Sequence, residues 1–188
     1  MNRSFPRTDT RVLYVRVSID KWNERYRAGE LGPEYPAPLL VEAVAALPPG
    51  RALDLACGTG RNALYLAQRD WSVVAIDGSP VAIAALRQTG STIDARVLDL
   101  ERHSIPFADE SFDLVCLINF LHRPLFADAK RVTRRGGVVV SVIHTVRSSM
   151  NPLFTIAIGE LRSYFADWEV VIDREDEVAE IVARKART

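Results

Sequence analysis

The sequence predicts an α/β protein built on one mostly parallel sheet with helices on both faces, and three observations carry that prediction. Short, nearly continuous apolar runs alternate with helical stretches from residue 52 onward, as expected for strands buried on both faces and joined by helical crossovers. The first run, Ala52-Leu53-Asp54-Leu55-Ala56-Cys57, meets a glycine turn, Gly58-Thr59-Gly60, that opens directly into a helical stretch. The last two runs are separated only by Asp173 to Val178, too little chain for a helical crossover, so they are expected to pair antiparallel.

The chain has 188 residues, enough to bury a full core as one domain. Its 48% hydrophobic and 26% charged residues are ordinary globular values, which argues against disorder. Lysine and arginine number 24 against 24 aspartate and glutamate, so no net field favours nucleic acid or an anionic membrane. No apolar run approaches the roughly 20 residues that span a bilayer, and the arginines at 3, 7, 11 and 16 lack the apolar segment of a secretory signal. The balanced charge suits a small-molecule or protein substrate, of which a small molecule is the expected partner, and the expected location is cytoplasmic; oligomeric state is not readable. Cys57 and Cys116 both fall in expected strands and read as buried, reduced thiols.

Residues 1 to 18 read as a flexible arm in which Val12 to Val15 could form a short strand, and 19 to 188 as a single domain. Ser18 or Asp20 is placed to cap a helix over Lys21 to Arg27. Gly29, Gly32, Pro33, Pro36 and Pro38 end it. Leu39, Leu40, Ala43, Val44 and Leu47 recur at helical spacing until Pro48-Pro49-Gly50. Strands are expected near 52–57, 72–76, 94–98, 113–118, 137–143, 168–173 and 179–184. Helices are expected near 61–69, 80–88, 124–133 and 157–165, with Pro80 and Pro124 in first turns where a missing N–H costs nothing. The charged loop between Asp99 and Phe112 leaves little room for a third crossover helix.

The chemistry concentrates at strand ends. Gly58 and Gly60 let backbone approach a ligand closely. About 20 residues further on, the run Trp71 to Ile76 ends in Asp77, a carboxylate placed to hold both ribose hydroxyls of a nucleoside. Gly58-Thr59-Gly60-Arg61-Asn62-Ala63 also satisfies the dinucleotide pattern, in which a pyrophosphate sits on the helix N-terminus. Asp54 argues otherwise, since a carboxylate just before the turn repels a pyrophosphate and attracts an ammonium or sulfonium. Asp99 closes the next strand-like run. Three carboxylates at three successive strand ends suit a cationic, phosphate-free nucleoside.

With these motifs in place, the chain resembles the class I S-adenosylmethionine-dependent methyltransferases, over roughly residues 20 to 186. Leu53 to Gly60 looks like that family's motif I, Val73 to Ser79 its second acidic motif, Val97 to Leu100 its adenine-contacting segment, Phe112 to Asn119 its fourth-strand motif, and Arg135 to Val140 its turn into strand five. Ala56 departs from the pattern, where the family usually has glycine. Within the superfamily the closest likeness is to small bacterial proteins of the tellurite-resistance-related type, through Lys21 to Tyr26, Asn119 to Phe126 and Leu161 to Val171. The resemblance implies a Rossmann-like seven-stranded sheet of order 3-2-1-4-5-7-6. It also implies S-adenosyl-L-methionine as cofactor, S-adenosyl-L-homocysteine as product, and methyl transfer to a small acceptor by direct displacement.

On that reading Asp54 holds the cofactor's ammonium; Ala56, Gly58, Gly60 and Asn62 form the turn beneath it. Asp77 and Gly78 take the ribose, with Asp77 facing the pocket so that its removal costs little folding stability. Asp99 and Leu100 meet adenine, and Asn119 lies at the mouth shared by cofactor and acceptor. His122 is a general base, a ring stacked on adenine, or a ring packed under the loop. Arg25 and Tyr26 either reach across the cofactor from the first helix or form a plain amphipathic face. His144, Arg147 and Ser148 to Phe154 border the acceptor. Residues 20 to 36 are a candidate lid. His103, His122, His144 and the two cysteines match no metal-ligand spacing, and no serine-nucleophile elbow occurs. Two alternatives stay open: a nicotinamide-dependent oxidoreductase, and a non-catalytic module that binds S-adenosylmethionine. No Asn/Asp-Pro-Pro-Tyr/Phe stretch follows strand four, which lowers the odds of amino-group acceptors and leaves sulfur, selenium, tellurium oxyanions, carboxylates and phenols.

Overall fold

The computed structural model describes residues 18–30 and 32–187. The expected strand at Val12 to Val15, and all of the expected arm except Ser18, lie outside these residues. Seven strands form one sheet in the order β3-β2-β1-β4-β5-β7-β6. They are β1 (Arg51–Leu55), β2 (Ser72–Asp77), β3 (Asp94–Val97), β4 (Phe112–Ile118), β5 (Thr133–His144), β6 (Glu169–Glu175) and β7 (Val178–Arg184). All neighbours from β3 to β5 are parallel, whereas β7 runs antiparallel to both β5 and β6. The expected order and closing hairpin are both present.

Six helices accompany the sheet among the described residues: α1 (Ile19–Arg27), α2 (Pro38–Val44), α3 (Arg61–Ala67), α4 (Pro80–Gln88), α5 (Pro124–Val132) and α6 (Glu160–Ser163). Leu39, Leu40 and Val44 of α2, Ala63 and Leu66 of α3, and Ile83 and Leu86 of α4 pack on one face with Leu114, Cys116, Val138 and Val140. On the other face Leu125, Phe126, Ala129 and Val132 of α5 meet Leu53, Leu55, Val115, Leu117 and Val139 with Phe165 and Trp168. The two faces together enclose the near-continuous apolar strands, which is why those strands carry no alternation.

Some boundaries differ from expectation, each for a local reason. The helix expected at 157–165 is only Glu160–Ser163, preceded by a 3-10 turn at Pro152–Phe154, because Gly159 adopts a left-handed φ of 78° and starts the helix late. β5 begins at Thr133, directly after α5, with a register irregularity opposite Phe112 and Leu114. Cys57 lies in the turn after β1 and not within a strand, since Ala56 turns the chain with φ 55°. Both cysteines are buried and free. No helix bridges β3 to β4; instead the Arg131 guanidinium donates to the carbonyls of Ile105 (2.9 Å) and Phe107 (2.7 Å) and to Asp109 (2.9 Å), pinning the connection to α5. Among the described residues no helix is long and apolar enough to cross a membrane.

Candidate cofactor site

Parallel strands deliver their carboxyl ends to one edge, and the sequence puts its carboxylates there. Asp54, the fourth residue of β1, is 1% exposed, and its Oδ2 has no hydrogen-bond partner. Burial pushes its pKa up to about 7, opposed by the charge of Arg61 and by the Ala63 amide. A buried carboxylate oxygen without a donor is costly, and an ammonium is the kind of group that would satisfy it.

Asp77 closes β2. Its Oδ2 accepts from the Gly58 amide and its Oδ1 from the Ser79 amide, both at 2.8 Å. This corrects the expectation that the side chain merely faces a pocket: it ties the glycine turn of β1 to the turn that opens α4. Each oxygen keeps a lone pair, so ribose hydroxyls can still be received. Burial raises its pKa, and the two amides oppose the rise.

The glycines have separable reasons. Gly60, at φ 91°, caps α3, and a Cβ there would stand 2.5 Å from the Leu86 side chain. Gly58, at φ 56°, lies under the Tyr26 ring; a Cβ there would be 3.0 Å from the tyrosine hydroxyl. Ala56 adopts a left-handed φ of 55°, which explains why glycine suits this position and why the small alanine is tolerated. Asn62 is buried, and its carboxamide oxygen accepts from the Ala37 amide at 2.9 Å. That oxygen therefore serves the fold, fastening the α1–α2 connector above the turn, while Arg61 holds the Tyr35 carbonyl at 2.8 Å.

α1 lies across the Gly78-Ser79 turn. Ser18 caps it, accepting from the Lys21 amide at 3.3 Å. Ser79 donates its hydroxyl to the Asn23 carboxamide oxygen at 2.6 Å while its oxygen caps α4, and a Cβ on Gly78 would be 3.0 Å from Ile19. Gly78 thus makes room for α1. Tyr26 stacks on Trp22, and burial together with Asp77 raises its pKa. Arg25 pairs with Glu30 at 2.7 Å and lies over the Trp22 ring, so its guanidinium is engaged within the N-terminal segment. Neither Asn23 nor Ser79 was identifiable as a site residue beforehand, because their pairing depends on how α1 docks.

Asp99 accepts from the Glu101 amide at 3.0 Å and faces Arg102. Leu100 beside it is buried. Leu100, Glu101, Arg102, His103, Ser104, His122, Pro124, Leu125 and Asp128 line a cleft of about 190 Å³. His122 is therefore grouped with the residues expected at the adenine end; its Nδ1 is buried without a partner. Asn119, exposed and at φ 58°, follows β4 and donates its amide to the Val142 carbonyl at 2.8 Å.

A glycine turn flanked by acidic strand ends, on a sheet of this order with its antiparallel closing hairpin, defines the Rossmann-like methyltransferase fold. The match to the family described as Tellurite resistance protein TehB spans residues 22–186, and the chain belongs to that family. Among curated relatives, Hemagglutinin 1 of Eikenella corrodens is 32% identical over 69% of this chain and 47% of its own. The probable S-adenosyl-L-methionine-dependent methyltransferase TehB of Haemophilus influenzae (strain ATCC 51907 / DSM 11121 / KW20 / Rd) is 30% identical over 69% of this chain and 50% of its own. The chain spans about half the length of these relatives. The crystal structure of TehB from Haemophilus influenzae superposes with a TM-score of 0.74 at 26% identity, over 87% of this chain and 67% of that one.

Proposed function

We propose that this chain is a methyltransferase that uses S-adenosyl-L-methionine and passes the methyl group by direct displacement to a small-molecule acceptor, leaving S-adenosyl-L-homocysteine. The observation that carries this reading is Asp54: a fully buried carboxylate beside a glycine turn, with one oxygen lacking any donor. A pyrophosphate would find a repelling charge there and an ammonium a partner. The names of the TehB relatives point the same way. The free, buried thiols of Cys57 and Cys116 suit the cytoplasm.

Bound at this site, the cofactor supplies a methyl group on a sulfonium with a neutral thioether as leaving group. Asp54 holds its ammonium, Asp77 its ribose hydroxyls, and Asp99 with Leu100 its adenine, against which His122 closes the cleft. Tyr26 covers Gly58 and keeps water from the turn. Asn119, exposed after β4, would line the mouth shared by cofactor and acceptor. Alignment and exclusion of water are the contributions the protein must make to such a displacement.

Isothermal titration is expected to show S-adenosyl-L-homocysteine binding in the micromolar range, on the order of 7 to 9 kcal/mol, with NAD at least about a hundredfold weaker. Equal or tighter NAD binding overturns the assignment in favour of an oxidoreductase. Cofactor binding without turnover over a broad acceptor panel would instead make this a binding module.

Residues 20 to 36 form the lid in this reading. Asn23 is the one buried residue of α1, so the helix is held by few apolar contacts and belongs to the low-stability end of the structure. Hydrogen exchange is expected to find the segment weakly protected in the free protein and clearly protected with S-adenosyl-L-homocysteine, while the strands change little. Identical protection in both states removes the lid.

A further inference from the structure

The amino-acid end of the cofactor carries a carboxylate as well as an ammonium, and the site holds an unclaimed cation. Arg61, the first residue of α3, is partly buried, and it is the cation whose charge reaches Asp54. Burial lowers its pKa, and the Asp54 charge opposes that fall. The two groups are nevertheless unpaired. Among the described residues the Arg61 guanidinium makes one hydrogen bond, from Nη1 to the Tyr35 carbonyl at 2.8 Å, and no ion pair. Asp54 accepts from the Ala63 amide and keeps Oδ2 without a donor. A partly desolvated cation and a buried carboxylate this close, each short of partners, are costly to the fold unless something else meets both.

The tie to Tyr35 explains the gap. Tyr35 belongs to the α1–α2 connector, which Asn62 also holds through the Ala37 amide at 2.9 Å. Fastened there, the guanidinium is drawn toward the connector instead of collapsing onto Asp54, and four of its five N–H donors stay open. Because Arg61 is partly exposed, an anion reaches it from solvent; Asp54 lies deeper, and its ammonium partner follows as the lid opens. Arg25, the other arginine expected at the cofactor, is engaged by Glu30 and lies over Trp22. Charge then selects the ligand. A lone anion is repelled by Asp54 and a lone cation by Arg61, whereas an ammonium and a carboxylate on one carbon satisfy both.

We infer that Arg61 binds the carboxylate of the cofactor's amino-acid end, beside the ammonium held by Asp54, so that the site reads an α-amino acid zwitterion and not the nucleoside alone. The inference rests on the methyltransferase reading above and deepens it by naming how this end is recognised. Arg61 is a binding residue and takes no part in the transfer. Its planar fork can grip the carboxylate while Nη1 keeps the Tyr35 carbonyl, so one side chain joins the bound cofactor to the connector of the lid.

Calorimetric titration of wild type, Arg61→Gln and Arg61→Lys with three probes tests this. The probes are S-adenosyl-L-homocysteine, its decarboxylated thioether, which keeps the ammonium, and methylthioadenosine, which lacks both charges. Wild type is expected to prefer S-adenosyl-L-homocysteine to the decarboxylated thioether by on the order of 10- to 150-fold, the range for hydrogen bonds to a charged group. Arg61→Gln is expected to lose a similar factor for S-adenosyl-L-homocysteine and less than about threefold for the other two probes, with Arg61→Lys between it and wild type. An equal loss for all three probes assigns Arg61 to holding Tyr35 alone and overturns the inference, as does no loss. Should Arg61→Gln fail to fold, the wild-type titrations decide: the decarboxylated thioether or methylthioadenosine bound as tightly as S-adenosyl-L-homocysteine overturns the carboxylate site while leaving the nucleoside site standing. Failure of the wild type to bind S-adenosyl-L-homocysteine overturns the methyltransferase reading with it.

Discussion

Asp77→Ala is expected to lose cofactor affinity and a large part of the folding free energy together. The affinity loss is about 1.5 to 3 kcal/mol, the range for hydrogen bonds to a charged group. The stability loss comes from a different pair of bonds. The Asp77 carboxylate accepts from the Gly58 and Ser79 amides at 2.8 Å each, so alanine leaves two backbone donors unpaired in partly buried turns. Unpaired donors of that kind cost about 1 to 3 kcal/mol apiece. Relief from burying the carboxylate offsets some of this, since burial already raises its pKa, and a net loss of about 2 to 4 kcal/mol is expected. Asp77→Asn keeps one acceptor oxygen and should fall between wild type and alanine. Urea denaturation supplies the ranking. Wild-type stability in the alanine variant would mean that the two turns hold without the carboxylate.

That double duty marks where sequence reading stops. The strand order, the glycine turn and the acidic strand ends were legible because each is written locally: an apolar run, a residue that tolerates a left-handed φ, a carboxylate at a fixed place after the run. Partner choice is not local. Asn62 looks like part of the turn, yet its oxygen serves Ala37, 25 residues away. Asn23 reads as one polar residue in a polar helix, and only docking brings it to Ser79 across 56 residues. Gly60 suggested close approach by a ligand, and the structure adds Leu86 as the neighbour a Cβ would strike. Arg131 replaces a whole crossover helix with hydrogen bonds to Ile105, Phe107 and Asp109, an arrangement with no sequence signature. His144 was placed beside the acceptor by its position after strand five, but its unpartnered Nδ1 is a property of the packed loop.

Cofactor affinity is expected to depend on pH through Asp54. Burial raises this carboxyl to about 7 in the free protein. The folded state therefore keeps a proton between the usual carboxylate range and about pH 7, where the unfolded chain has lost it, and stability falls as pH rises through that window. The shift of about three pH units bounds the cost near 4 kcal/mol above pH 7. Replacing the carboxyl by an uncharged isostere removes that cost, so Asp54→Asn should melt higher than wild type at pH 8, by an amount on the order of 2 kcal/mol once the amide's own unpaired groups are counted. At pH 5, where wild-type Asp54 is protonated, the advantage should vanish. Binding runs the other way. The cofactor's ammonium needs the ionised form, so affinity for S-adenosyl-L-homocysteine should weaken toward about tenfold per unit below pH 7, with up to one proton released on binding. Titration in two buffers of different ionisation enthalpy measures that proton. Asp54→Asn should bind weakly at every pH and release none. Wild-type affinity that stays flat from pH 5.5 to 8 would mean that Asp54 does not lose a proton on binding: either Arg61 outweighs burial and the carboxylate is already ionised in the free protein, or, if Asp54→Asn also binds as tightly as wild type, the ammonium is held elsewhere and the role given to Asp54 is overturned.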